Sequence, residues 1–293
     1  GATCTLGYVA KGLNVPSVLI SHGSHVYHDG YTESLEHKLI ARNMLYGGYQ
    51  FNALQSLLAV DFAHEMKIDK KSIIKILPAT WGIRIKKNKQ KNNKLILLHA
   101  GTIKDGTRRH IYETPDELLA TFIDLCEILT HYKNIELIIK FREINEFSTE
   151  SLRTLLEPIP ENVSIIGNVP FLDVLAKSNL LMSFSSTTIE EALVNNIPVL
   201  LYGGCGRYAH IPVAPFSEIN RDIMTPVTFV DNRDSLFDYF KVLDQNYDQF
   251  MDFSFDFNQY VLKNAIGIVP WLEQNNILEK EYIKTTKYGA YVS

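Results

Sequence analysis

Between residues 94 and 240 the chain alternates short, unbroken apolar runs with longer stretches whose apolar positions recur at helical spacing. The runs KLILLH (94–99), IELIIKF (135–141), VSII (163–166), LLMSF (180–184), VLLY (199–202) and VTFV (227–230) read as strands. Because polar residues do not alternate with apolar ones along them, both faces must be covered, which is the pattern of a parallel sheet between helices. The intervening segments 115–130, 148–156 and 170–177 supply those helices, the first through Leu118, Leu119, Phe122, Ile123, Leu125, Cys126 and Leu129. Further helices are predicted at 234–242, 256–261 and 270–274. Tyr247, Phe250, Phe253, Phe255, Phe257 and Tyr260 either pack these segments back onto the sheet or form an aromatic ligand surface.

The first ninety residues are patterned differently. SVLIS (17–21) and the segment 73–77 read as strands, with helix-like stretches around 6–11 and 52–64. Two strands are too few for a nucleotide-type domain, so this region is expected to be the later part of an N-terminal domain, entered midway. The run KKNKQKNNK (86–94) divides it from the strand-rich region, either as a solvated hinge or as a basic contact for an anionic surface. The expected organisation is residues 1–90 as a partial acceptor-side α/β domain, 91–245 as a donor-binding domain and 246–293 as C-terminal helices packing back across them.

Composition narrows the functional classes. A net charge of −4 and a pI near 6.2 argue against a nucleic-acid-coating protein. No apolar stretch reaches the roughly 18 residues of a membrane span and no secretory leader is visible, which predicts a cytoplasmic protein with at most peripheral contact with the inner face of the membrane. Cys4, Cys126 and Cys205 are widely spaced and form no CxxC pair, so neither a disulfide framework nor a thiolate zinc site is expected.

The densest chemistry lies in LLMSFSSTTIEEALVNNIPVLLYGG (180–204). A buried strand runs into Ser183, Ser185, Ser186, Thr187 and Thr188 where a helix begins, a place that suits anions. Thr188 followed three residues later by Glu191 fits a capping box, which is either all that Glu191 does or only part of it. Lys140 and Arg142, two apart at a strand end, project to one side, as phosphate ligands or as solvated rim charges. Gly101 and Thr102 follow the first strand of this region, where a glycine lets backbone N–H groups approach a phosphate or simply makes a turn.

A glycine-containing first loop, Lys140-x-Arg142, and a Ser/Thr-rich turn with Glu191 seven residues before Pro198 together resemble the donor-binding half of GT-B glycosyltransferases, over about residues 94–240. Within that superfamily the chain is similar to bacterial surface-polymer enzymes such as teichoic acid glycerophosphate polymerases and capsule or Kdo transferases. His22-Gly23 at the end of SVLIS resembles a motif some of them carry. Where those polymerases show Lys-x-His-Pro, this chain has Lys140-Phe141-Arg142-Glu143, a departure that leans the donor toward a cytidine nucleotide.

The resemblance implies an α/β, GT-B-like fold, with a C-terminal Rossmann-like parallel-sheet domain plus part of an N-terminal α/β domain. It implies a glycosyltransferase of polysaccharide biosynthesis that uses a CMP- or UDP-linked sugar as substrate, with no separate cofactor and no metal, and a glycan or lipid-linked glycan as acceptor. Ser185, Ser186 and Thr187 would then cradle phosphate, Glu191 would accept hydrogen bonds from the ribose hydroxyls with Glu190 as its exposed neighbour, and the backbone at Asn168 and Val169 would read the base. Those two residues alternatively belong to an ordinary turn.

The acceptor hydroxyl needs a general base titrating near the working pH, and His22 fits it best. His25 and His28 follow at three-residue intervals, but Gly23 and Asp29-Gly30 weaken any helix that would gather the three around a metal. His99, at a strand end, faces the same cleft by position. Two other readings stand beside the transferase. One is a UDP-sugar 2-epimerase-like enzyme, which needs several carboxylates and histidines in a full N-domain; the other is a non-catalytic nucleotide-binding scaffold. No GxGxxG opens a helix after a strand, which sets a dehydrogenase aside.

Overall fold

The computed structural model describes residues 2–21, 35, 38, 45–81, 94–101, 113–143, 147–203 and 210–277. These form two compact units, one holding 2–21, 38, 45–81 and 262–277, the other holding 35, 94–101, 113–143, 147–203 and 210–261.

The first unit carries a three-stranded parallel sheet in the order β1 (Val18–Ile20), β2 (Phe51–Leu54), β3 (Ile73–Lys75). Helix α1 (Ala2–Gly12) precedes it, and α2 (Leu57–Glu65) comes after β2 and Ser56, whose hydroxyl accepts the Ala59 N–H at 3.1 Å. The helical stretch expected over 52–64 is therefore corrected: its first residues are the central strand. Asn52 sits buried in that strand with its amide donating to the Leu45 carbonyl at 3.3 Å, and the helix waits for the Ser56 cap. A parallel bridge joins Ile76 to Ile266, and α9 (Ile268–Gln274) covers the sheet, Trp271 meeting Phe51 edge-on at 4.9 Å.

The second unit holds β4 (Leu95–Gly101), β5 (Ile135–Phe141), β6 (Val163–Ile166), β7 (Leu180–Ser183), β8 (Val199–Tyr202) and β9 (Val227–Val230), all pairing in parallel in the order β6-β5-β4-β7-β8-β9. These strands match the apolar runs to within two residues at each end. The first three strands thus extend one way and the last three the other, so the direction of winding reverses between β4 and β7.

Helix α3 (Pro115–Leu129) is started by a true capping box: Thr114 Oγ1 accepts from the Glu117 N–H and Glu117 accepts from the Thr114 N–H at 2.8 Å. It buries Leu118, Phe122, Leu125 and Leu129 on Leu95 and Leu97. Helices α4 (Thr149–Leu156), α5 (Phe171–Leu175), α6 (Thr188–Val194), α7 (Arg233–Gln245) and α8 (Tyr247–Asp252) complete the layers. The helix expected at 256–261 is absent. Asp256 instead accepts the Asn258 N–H at 2.9 Å, an Asx turn that competes with helix, and the helical turns lie earlier, at 247–252. Phe250 and Phe257 of the aromatic group are buried, and Phe255 touches Phe250, Phe253 and Phe257 ring to ring, so packing accounts for this group.

Candidate functional site at the strand ends

In an open parallel sheet, ligands sit beyond the carboxyl ends of the strands where the winding reverses, because loops and helix starts diverge there and leave backbone groups unpaired. In the six-stranded unit that point lies between Gly101 at the end of β4 and the Ser183–Thr188 turn after β7. One bond ties the two strands at their ends: Ser183, fully buried, donates its hydroxyl to the Ala100 carbonyl at 2.9 Å. Ser183 is thereby withdrawn from the hydroxyls expected to serve a ligand. Ser185, Ser186 and Thr187 remain half-buried at the rim.

Helix α6 starts one residue earlier than expected. Thr187 already has right-handed helical dihedrals and caps nothing with its side chain, while Ser186 Oγ accepts the Thr188 N–H at 3.3 Å. The Thr188–Glu191 capping box is therefore absent, and the Thr188 hydroxyl is buried without a partner. A second correction concerns Glu190. It is 3% exposed, and its carboxylate lies 3.3 Å from Nε2 of the equally buried His210. Glu191, one step round the helix, is the half-exposed member of the pair.

Lys140 and Arg142 lie on the strand beside β4. Along β5 the odd positions are buried and the even ones half-buried, so Lys140 shares a face with Glu136 and Ile138, and Arg142 continues that side just past the strand. Among the described residues neither meets a carboxylate within ion-pair distance. Burial, and after it the adjacent Arg142 charge, holds the Lys140 ammonium below its ordinary pKa. Two neighbouring cations, one partly desolvated and neither with a counter-charge among the described residues, are a place an anion would complete.

Glu143, the nearest carboxylate in sequence, is engaged elsewhere. Its Oε1 accepts from the Thr149 N–H at 3.1 Å and hydroxyl at 2.9 Å, and its Oε2 accepts from the Asn168 amide at 3.1 Å. The Thr149 bonds, backbone first, hold its pKa below the usual range. It thus fixes the start of α4 and the turn after β6 together. A side chain at Gly167 would press on this arrangement, its Cβ falling 3.1 Å from Thr149 Cγ2. In that turn the Val169 N–H donates to the Gly167 carbonyl at 2.8 Å, so it is not free to read a base, while the Val169 side chain is 41% exposed. Glu143 is the residue that sequence reasoning missed; its lone signal was its place beside Arg142 and ahead of the Ser148-Thr149 helix start.

His99 also departs from expectation. It shares the α3 side of β4 with Leu95 and Leu97, is 1% exposed, and meets Phe122 edge-on at 4.9 Å. Neither ring nitrogen has a partner, and burial lowers its pKa to about 4. Gly101 lies directly above, where a Cβ would come 3.1 Å from His99 Cε1. His99 is therefore a neutral core residue under the strand end. His22 and Thr102, together with His25 and His28, fall outside the described residues. No helix of the described residues is long and apolar enough to cross a membrane.

No family model matches the chain, and no curated protein does either. Solved structures do. A Neisseria meningitidis UDP-GlcNAc 2-epimerase bound to UDP-GlcNAc aligns with a TM-score of 0.56 at 15% identity, over 85% of this chain and 67% of its own. The S. aureus MnaA–UDP structure aligns with 0.56 at 13% identity, over 97% and 79%. A mutant of S. aureus TarM in complex with Fondaparinux, alpha-GlcNAc-glycerol and UDP aligns with 0.50 at 15% identity, over 82% of this chain and 46% of that one. At these identities the likeness is one of fold, and the fold is GT-B-like, built of Rossmann-like parallel-sheet units.

Proposed function

We propose that the chain is a nucleotide-sugar-dependent glycosyltransferase whose donor sits at the strand ends of the six-stranded unit. The observation that carries this is the Lys140–Arg142 pair on the strand adjoining the reversal point, with Lys140 partly desolvated and neither cation in ion-pair distance of a carboxylate among the described residues. Ser185, Ser186 and Thr187 offer donors on the other side of that point, and Gly101 ends the strand between them and the two cations. A nucleoside phosphate departing from a sugar gains negative charge as its bond to the anomeric carbon breaks, and fixed cations and N–H groups stabilise it as it forms. Glu191 accepts the ribose hydroxyls. The acceptor oxygen attacks the anomeric carbon and its proton passes to His22, the nucleotide leaving with the bonding electron pair.

The solved structures favour a second reading. The Neisseria protein is an epimerase of UDP-GlcNAc, and UDP accompanies both S. aureus proteins. An epimerase releases and recaptures the nucleotide with no acceptor. Among the described residues the carboxylates of the three-stranded unit, Asp61, Glu65, Asp69 and Glu273, lie on helices or caps. Incubation with UDP-GlcNAc or a CMP-linked sugar decides: nucleotide release that requires a glycan acceptor supports transfer, and a 2-epimer formed without acceptor supports the other reading.

A further inference from the structure

Helix α6 carries Glu191 but is weakly anchored at its start. It has seven residues, Thr187 caps nothing with its side chain, Ser186 Oγ takes the Thr188 N–H only at 3.3 Å, and the Thr188 hydroxyl is buried without a partner. So short a helix is not held by its own backbone, and what its buried face meets must set its rotation. That face consists of Ile189, Glu190, Ala192 and Leu193. Apolar contacts are non-directional, whereas a hydrogen bond fixes both distance and angle. Glu190 is therefore the member of the face that can define a rotation.

A carboxylate is almost never fully buried unless it is paired. Glu190, 3% exposed, lies 3.3 Å from Nε2 of His210, which is 4% exposed. An ionised carboxylate only accepts, so Nε2 carries the hydrogen and donates it. His210 lies beyond β8 in sequence, and the end of β8 is itself seated on the hydroxyl turn: a Cβ at Gly203 would fall 2.1 Å from Phe184 Cδ2. The chain after β8 thus presses on the turn at Gly203 and bonds to α6 at His210. Successive residues of an α-helix project about 100° apart, so holding Glu190 inward fixes the direction in which the half-exposed Glu191 projects. We propose that His210 and Glu190 are positioning residues for the donor site, their bond setting the rotation of α6 and with it the aim of Glu191 at the ribose hydroxyls. The inference rests on the reading of Glu191 as the ribose acceptor.

The test is calorimetric titration with UDP and CMP, each against its 2′,3′-dideoxy form, and with inorganic pyrophosphate. The wild-type chain should prefer the ribose form of one nucleotide at least tenfold. His210→Ala should lower that preference below threefold, as Glu191→Ala does, and leave pyrophosphate affinity within twofold. Glu190→Gln keeps an oxygen to accept from Nε2 and should keep the preference. A wild-type preference in His210→Ala, an equal loss of pyrophosphate and nucleotide binding, or a Glu190→Gln as impaired as His210→Ala overturns the proposal. Should His210→Ala fail to fold because it strands a buried charge, the double variant Glu190→Leu, His210→Leu removes both polar groups. It too should lose the preference, and a preference retained there overturns the proposal equally. If the wild-type chain binds no nucleotide, or Glu191→Ala leaves the preference in place, the reading of Glu191 falls. Hydrogen exchange then decides the role of the pair: the Glu191 and Asn195 amides, bonded to the Thr187 and Glu191 carbonyls at 3.0 and 3.2 Å, should exchange at least tenfold faster in the double variant while the Leu137 amide of β5 keeps its rate. Unchanged exchange in α6 overturns the proposal.

Discussion

The two parallel sheets hold their strand ends by different means. In the six-stranded unit the strands of four to seven residues are buried along most of their length, and the ends are located by the core beneath them, down to a histidine kept neutral under Gly101. In the three-stranded unit, with strands of three or four residues, the ends are located by hydrogen bonds that converge on one amide, that of Gln55. A deep core locates strand ends because it resists deformation, whereas converging hydrogen bonds locate the ends of strands too short to bury much.

The largest effect should fall on the packed unit. Phe122→Ala removes a fully buried ring between α3 and β4 and is expected to cost about 3–5 kcal/mol, read as an earlier urea transition of the six-stranded unit with the other unit's transition in place. A single common shift of both transitions would break the contrast between the units.

Next is acid sensitivity. His99 titrates near 4 in the fold and near 6.5 when unfolded. Above pH 6.5 it is neutral in both states and contributes nothing to the balance. As pH falls from 6.5 to 4 the unfolded chain takes up the proton first, so stability declines by about 3 kcal/mol, and below 4 the deficit stays constant. His99→Phe should flatten that window in denaturation curves taken from pH 7 to 4.

Arg142→Ala should weaken nucleotide binding by about 1.5–3 kcal/mol, the usual loss for a charged hydrogen-bond partner, with little change in stability because Arg142 is exposed. The smallest effect is a control. Thr114→Ala removes the cap of α3 and should cost about 1 kcal/mol of stability without touching nucleotide affinity.

The same contrast explains how much was legible in the sequence. Strands of a deep core are written largely in Ile, Leu, Val and Phe, and this holds even where one face is half covered, as in 135–141 and 163–166, so these runs and 199–202 and 227–230 could be read to the residue. β2 could not, because Asn52 and Gln55 break its apolar pattern and their compensation comes from Leu45, Ser21 and Thr80, distant in sequence. At the candidate site the cations, the hydroxyl turn and Glu191 were visible as residue types at strand ends. The burial of Glu190 against His210 and the three-way hold of Glu143 were not, since each depends on a partner from another strand end. The Thr188–Glu191 box had the right spacing but began one residue too late, while Thr114-Pro115-Asp116-Glu117 forms a complete box.

The most direct test of the central claim is calorimetric titration of the wild-type chain and Glu191→Ala with UDP, UMP, CDP, CMP and GDP. Selective binding of one nucleotide class, weakened about ten- to a hundredfold by Glu191→Ala, is the predicted result; no binding by any of them would contradict a donor site at the strand ends of the six-stranded unit.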